Sequence, residues 1–240
     1  MASAAEVTTR WFDHRLIRAA RIVVGVGVFG TVIANMFIVA GHPGGLDLGN
    51  YLSFFTNLSN LIAGVVFVVS GAFVRDRLPA WWDGVRGAMA LYLGLAGVVF
   101  ALLLQWLPSA GTITPWVNAI VHLGMPILAV LDWLLIPSIR AAPWWRPLAW
   151  LAFPLAYLVY TLIRGPIVDW YPYDFVDPRL WGGYERLVRT TGVVVLGFLA
   201  GAIVLDMLGR VRFRLAIRAE RRSVAAGGST VSVERDSVRR

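Results

Sequence analysis

The sequence predicts an all-α protein that crosses a membrane six times, and three observations carry that prediction. Hydrophobic residues make up 58% of the 240 residues and the mean hydropathy is +0.68. That lies well above the roughly 45–50% apolar usage of a soluble globular chain. Charges are confined to short stretches between uncharged runs close to the ~20 residues that a helix needs to cross hydrocarbon. The arginines in those stretches alternate between abundance and scarcity, as they do when successive connections lie on opposite sides of a membrane.

The six spans follow in order. The first, Ile22–Ala40, comes after Arg10, Arg15, Arg18 and Arg21, a beginning that resembles a secretory signal. Its apolar run exceeds the roughly 7–15 residues of a signal core and no small-residue cleavage site follows, so it reads as a retained span. The second, Tyr51–Val74, contains Ser53, Thr56, Asn57, Ser59 and Asn60. The third, Ala88–Leu107, carries the small pairs Ala90/Gly94 and Gly97/Ala101, which let helix backbones approach closely where lipid supplies no hydrophobic drive. The fourth, Trp116–Ile136, holds His122, Pro126 and Asp132, and the fifth, Leu148–Ile163, holds Pro154. Each proline leaves the carbonyl four residues earlier without its partner and kinks the helix; those carbonyls belong to His122 and Trp150. The sixth, Thr190–Leu208, has Gly197 and Gly201 in a GxxxG pair.

The chain thus divides into a segment 1–21, a transmembrane domain 22–208 and a tail 209–240. Eighteen arginines fall on the side of the two termini and four, all between the fifth and sixth spans, on the other. Both termini are therefore expected in the cytoplasm, and the chain in the plasma membrane. Tryptophans agree: Trp106, Trp116, Trp170 and Trp181 mark the outer ends and Trp81, Trp82, Trp144 and Trp145 the inner boundary. The net charge of +8 reads as contact with anionic lipid, not nucleic acid. The tail begins "GRVRFRLAIRAERR", expected to lie along that lipid at about 1 kcal/mol per arginine. It ends "SVAAGGSTVSVERDSVRR", polar and rich in Gly and Ser, and expected to be disordered.

Composition also excludes chemistry. Without cysteine there is no disulfide or thiolate catalysis. Every basic residue besides histidine is arginine, and without lysine no Schiff-base cofactor can be held. A single histidine inside the spans cannot supply a haem pair or a diiron centre. Neither cofactor nor metal is expected.

His122 and Thr56 are the candidate reactive pair. Each lies five or six residues below the outer end of its span, roughly 7–9 Å deep at a rise of 1.5 Å per residue. Asn118 precedes His122 by four and shares its face; Ser53, Thr56 and Asn60 share a face on the second span. Two polar stripes at one depth are expected to meet in a cavity opened by the Pro126 kink. A histidine base turns a threonine hydroxyl into a nucleophile, and Asn57, Asn60 or Asn118 would donate to a developing oxyanion. Asp132 lies about 15 Å deeper and is expected to pair with arginines instead of orienting the imidazole. The same polar residues equally fit helix glue, with hydroxyls bonded to carbonyls three or four residues back.

The motifs "FFTNLSNLIAG", "HLGMPILAVLDWLL", "PLAYLVYTLIRG" and "DWYPYDFVD", on a six-span plan, resemble the Pr-six-Pr family of bacterial membrane proteins. The chain is more distantly similar to the androgen-induced six-span hydrolases of fatty-acid esters of hydroxy fatty acids. That similarity implies a threonine nucleophile and a histidine, which would be Thr56 and His122. The expected function is an intramembrane Thr/His hydrolase of lipid-like acyl esters, with Arg164 and Arg189 holding a substrate carboxylate. A membrane protein that binds or passes a lipid or small solute without catalysis is the alternative, and a scaffold with polar helix glue a third. Membrane lipids and an acyl ester are the expected partners; the sequence names no protein partner.

Overall fold

The computed structural model describes residues 12–106, 114–136, 138 and 141–237, with side chains as far as 218. Six helices are long and apolar enough to cross a membrane: Arg15–Ala40, Phe55–Ala72, Trp82–Leu104, Pro115–Leu135, Arg146–Val168 and Gly183–Arg218. No strand occurs among the described residues. The first helix starts earlier than expected because His14 caps it, its ring nitrogen accepting the Leu16 N–H at 3.3 Å. The sixth does not stop at Leu208; its backbone is helical to Ser237. Arg, Leu, Ala and Glu are strong helix formers and fill much of 210–222, so the span continues as helix into the tail; the backbone of 223–237, expected to be disordered, is helical as well.

The third span is the hub. It packs against the second, fourth and sixth spans and against the short helix Arg146–Trp150. Ala90, Leu91 and Leu93 have no exposed surface, so the turn they form is enclosed by protein, while Val98 and Leu102 further along are exposed. The fifth span is peripheral instead. Leu155, Val159, Ile163 and Ile167 repeat every four residues and are all exposed, a stripe suited to hydrocarbon. Small residues set the closest approaches. A Cβ on Gly25 would sit 2.7 Å from the Gly64 carbonyl oxygen, and one on Gly201 would sit 3.0 Å from Leu91. The Gly197/Gly201 pair therefore faces the third span, while the Gly25–Gly64 contact was not anticipated from sequence.

At the arginine-rich end, ion pairs tie the spans together. Arg21 of the first span and Arg86 of the third each lie 2.7 Å from the Asp132 carboxylate of the fourth. Arg86 also donates to the Asp132 carbonyl at 2.8 Å. Arg75 pairs with Asp83 at 2.7 Å. The Phe12 ring packs under this cluster, 4.2 Å from the Arg21 guanidinium carbon and 5.2 Å from that of Arg86. Asp132 is thus a structural counter-ion, as its depth suggested.

The prolines act differently from simple kinks. Before Pro126 the helix widens to a π-helical turn over Ile120–Gly124. There the Met125 N–H bonds the Ile120 carbonyl, so the Val121 carbonyl loses its usual partner and the next candidate, Pro126, has no N–H. The Asn60 amide fills that gap at 3.3 Å. The His122 carbonyl, whose partner Pro126 would have been, rests on Gly97, 3.0 Å from where a Cβ would stand. Pro154 is not mid-helix at all. The fifth span breaks at Leu151, and Pro154 falls in the first turn of Ala152–Val168, where no N–H is required.

Candidate functional site

The second span is broken where the sequence suggested a continuous stripe. A short helix, Leu48–Leu52, ends at Ser53, and the spanning helix begins at Phe55 after an extended Phe54. The cause lies in the fifth span. The Tyr157 hydroxyl donates to the Ser53 carbonyl at 2.8 Å, taking the acceptor that a continuous helix would offer to the Asn57 N–H. The Asn57 side chain closes the break by donating to the Tyr51 carbonyl at 2.7 Å. Thr56 consequently stands in the first turn of a helix, not one turn down a longer one.

A cavity of about 440 Å³ opens above that turn. Thr56 and His122 both line it, together with Asn35, Asn50, Tyr51, Asn57 and Tyr173. Asp47 and Asp174 also contribute to its wall. On the opposite side Thr56 and Tyr173 border an apolar slot of about 140 Å³ between the third, fifth and sixth spans, walled by Leu155, Leu158, Val194 and Phe198 among others. Thr56 and Tyr173 thus stand between a chamber of mixed polar and apolar lining and a hydrocarbon-lined recess.

His122 is held in one orientation. Its Nδ1 lies 2.7 Å from Asn118 Oδ1; an amide oxygen only accepts, so Nδ1 carries the proton and Nε2 the lone pair. Phe100 stacks on the ring at 3.9 Å between centroids and 19° between planes. Phe100 itself opens a second π-helical turn, Phe100–Leu104, and such turns often occur at functional sites. Among the described residues Nε2 has no hydrogen-bond partner, and no hydrogen bond joins His122 to Thr56.

The remaining sequence candidates take other roles. Asn118 orients the histidine and does not face the cavity as an oxyanion donor. Asn60 is fully buried, its amide nitrogen shared between the carbonyls of Thr56 at 2.9 Å and Val121 at 3.3 Å; it is interhelical glue. Ser53 is buried against the fifth span, bonded to the Gly49 carbonyl at 2.6 Å and to the Tyr160 hydroxyl at 2.8 Å. Asn57 does line the cavity, with one of its two N–H donors spent on the Tyr51 carbonyl. Arg164 donates to Asn50 Oδ1 at 2.9 Å and lies over Trp170, while Arg189 is exposed. Neither arginine lines the cavity; Arg164 is spent on Asn50 and Trp170 behind its wall, and the expected carboxylate clamp is not assembled.

Tyr173 is the residue that sequence reasoning missed. Its hydroxyl accepts the Thr56 N–H at 3.4 Å, which leaves its own proton free to donate. The ring is held edge-on by Phe54 at 5.7 Å and stacked by Phe175 at 5.2 Å. The loop carrying it is fixed by Arg186, which donates to the carbonyls of Asp174 at 2.7 Å and Asp177 at 3.0 Å. Arg179 binds the Asp177 carboxylate, and those hydrogen bonds hold its pKa below the usual carboxylate range. Only the run of aromatic and acidic residues in "DWYPYDFVD" hinted at an ordered loop. Among the described residues no three His, Asp or Glu side chains converge to hold a metal ion. Compared with protein-family models, curated proteins and solved structures, the chain matches none.

Proposed function

We propose that the chain is an integral membrane hydrolase of lipid-like acyl esters, with Thr56 as nucleophile and His122 as base. The observation that carries this reading is the convergence of Thr56 and His122, from two different spans, on one cavity. Thr56 Oγ1 attacks the ester carbonyl carbon while His122 Nε2 takes its proton. The same nitrogen returns that proton to the departing alcohol as the C–O bond breaks. Water then attacks the acyl-threonine, giving a proton to Nε2, and the carboxylic acid leaves as Oγ1 is reprotonated. Asn118 keeps the lone pair on Nε2, the role an asparagine plays in Cys–His–Asn sites. Tyr173 donates to the oxyanion, a contribution of about 10²–10³ in rate for one such donor.

An alkyl fluorophosphonate tests it, since such a probe bonds only to an activated hydroxyl. Peptide mass spectrometry on the treated, folded protein should find the label at Thr56; a label confined to other residues, or none, would sink the hydrolase reading. The second reading, an amphiphile-binding protein without catalysis, is favoured by the missing Thr56–His122 hydrogen bond and by the stacking of His122 on Phe100. It predicts ligand retention on purification with no labelling.

The proposed orientation places both termini in the cytoplasm of a plasma membrane and the cavity in the outer half. It rests on the arginine asymmetry. Reporter fusions after Leu78 and Ala142 should read as cytoplasmic, and fusions within 169–182 as external; the reverse pattern would invert the protein.

A further inference from the structure

A second polar pocket lies at the arginine-rich end of the bundle, where the connection after the fourth span meets the sixth. It encloses about 180 Å³ and is lined by Ser138, Arg146, Arg210 and Arg214 among others. Three guanidinium groups face one carboxylate, Asp206, which binds Arg146 and Arg210 at 2.6 Å each. Two positive charges are left over. Arg210 also donates to the carbonyls of Ala142 at 3.1 Å and Pro143 at 2.7 Å, so its fork is occupied. Arg214 is exposed and has no partner among the described residues.

One buried atom in the pocket has nothing to bond, and a second is engaged by ion pairing alone. The Ser138 hydroxyl is buried without a hydrogen-bond partner among the described residues, on a side chain only 6% exposed. Arg146 Nη2 lies 2.6 Å from Asp206 Oδ1 yet is not aligned to hydrogen-bond it, because Nε already points at the same oxygen. Buried polar atoms are nearly always met by a partner, and one left unmet keeps the full cost of its desolvation. Arg146 is also held in place. Its guanidinium carbon lies 5.4 Å from the Trp133 ring and 5.1 Å from that of Trp150. Gly209 clears room for it, since a Cβ there would stand 3.1 Å from Nη2.

We propose that this pocket binds a phosphate group. A phosphate offers several acceptor oxygens around one anionic centre, enough to take Ser138 Oγ–H, Arg146 Nη2–H and the free fork of Arg214 together. Planar guanidinium groups suit that geometry. The chemistry is shared by an anionic phospholipid headgroup and by a free phosphate, and a basic pocket between spans is a recurrent site for the former.

The test uses the full chain in neutral detergent. Native mass spectrometry and calorimetry would measure binding of dihexanoyl phosphatidylglycerol, of dihexanoyl phosphatidylcholine and of inorganic phosphate against chloride at equal ionic strength. One-to-one, saturable binding of phosphatidylglycerol or inorganic phosphate is expected, with phosphatidylcholine weaker because its choline opposes the two free positive charges. Competition by inorganic phosphate at comparable concentration assigns the site to free phosphate; binding of the lipid alone assigns it to a headgroup. Arg214→Gln and Ser138→Ala should each weaken binding about tenfold or more, the effect of losing one charge-assisted hydrogen bond. Arg15→Gln, exposed at the same end of the bundle, is the control and should change it less than about twofold, as expected of a screened surface charge. No saturable binding, or equal weakening by Arg15→Gln, overturns the proposal.

Discussion

Thr56→Ala is expected to reduce hydrolysis of a long-chain acyl ester to background, with the folded protein recovered in normal yield. The alanine removes the attacking oxygen but keeps the helix turn, since the bond from Thr56 to the Tyr173 hydroxyl is donated by the backbone N–H. His122→Gln should lower the rate by at least about 10²-fold, the lower end of what a general base contributes. Residues that act as one unit are strongly non-additive, so the double variant should be little worse than either single one. Thr56→Ser keeps a hydroxyl and should stay measurably active. Tyr173→Phe separates donation from packing, because the ring contacts to Phe54 and Phe175 survive while the proton is lost. Purified wild type that hydrolyses no acyl ester, or a folded Thr56→Ala that remains as active as wild type, leaves the cavity as a binding site only.

Asp132→Ala should cost about 3–5 kcal/mol of stability, the loss typical when one partner of a buried ion pair is removed. Two guanidinium groups, Arg21 and Arg86, would be left facing each other beside Phe12 with no carboxylate between them, Arg86 keeping only its longer 3.4 Å pair with Asp83. Arg86 has no exposed surface and Arg21 only 3%, so water cannot replace the lost anion. Unfolding in detergent by heat or by a denaturing surfactant reads this directly. Asp169→Asn is the comparison: Asp169 is 89% and its partner Arg179 44% exposed, and solvent-exposed pairs contribute about 0–1 kcal/mol. Equal stability of Asp132→Ala and wild type would mean the cluster does not hold the first, third and fourth spans together. Because Asp132 lies deeper than the cavity, any Asp132→Asn protein that folds should keep its chemical step.

What the residues alone determined is the number and approximate position of the spans, since hydropathy and length depend only on composition along the chain. The same local rules identified Asp132 as an arginine partner and the third and sixth spans as close-packing helices. They also pointed to the two side chains that do share a cavity, Thr56 and His122. What only the tertiary structure decided is what each polar residue touches. The helix break at Ser53 depends on Tyr157, 104 residues away, and so removed Ser53 from the stripe that periodicity had drawn. Asn60 is spent on a carbonyl freed by Pro126 in another span, a demand that no local pattern announces. Asn118 binds the His122 ring from the face that the two share, and so is spent on orienting the imidazole instead of on a substrate oxygen. Tyr173 reaches Thr56 only after a loop of 14 residues between two spans has folded back over the bundle. A helix period is a property of neighbouring residues and can be read from their order. The partner of a buried hydrogen bond is set by which backbone elsewhere has an unmet donor or acceptor, and that is fixed only when the helices pack.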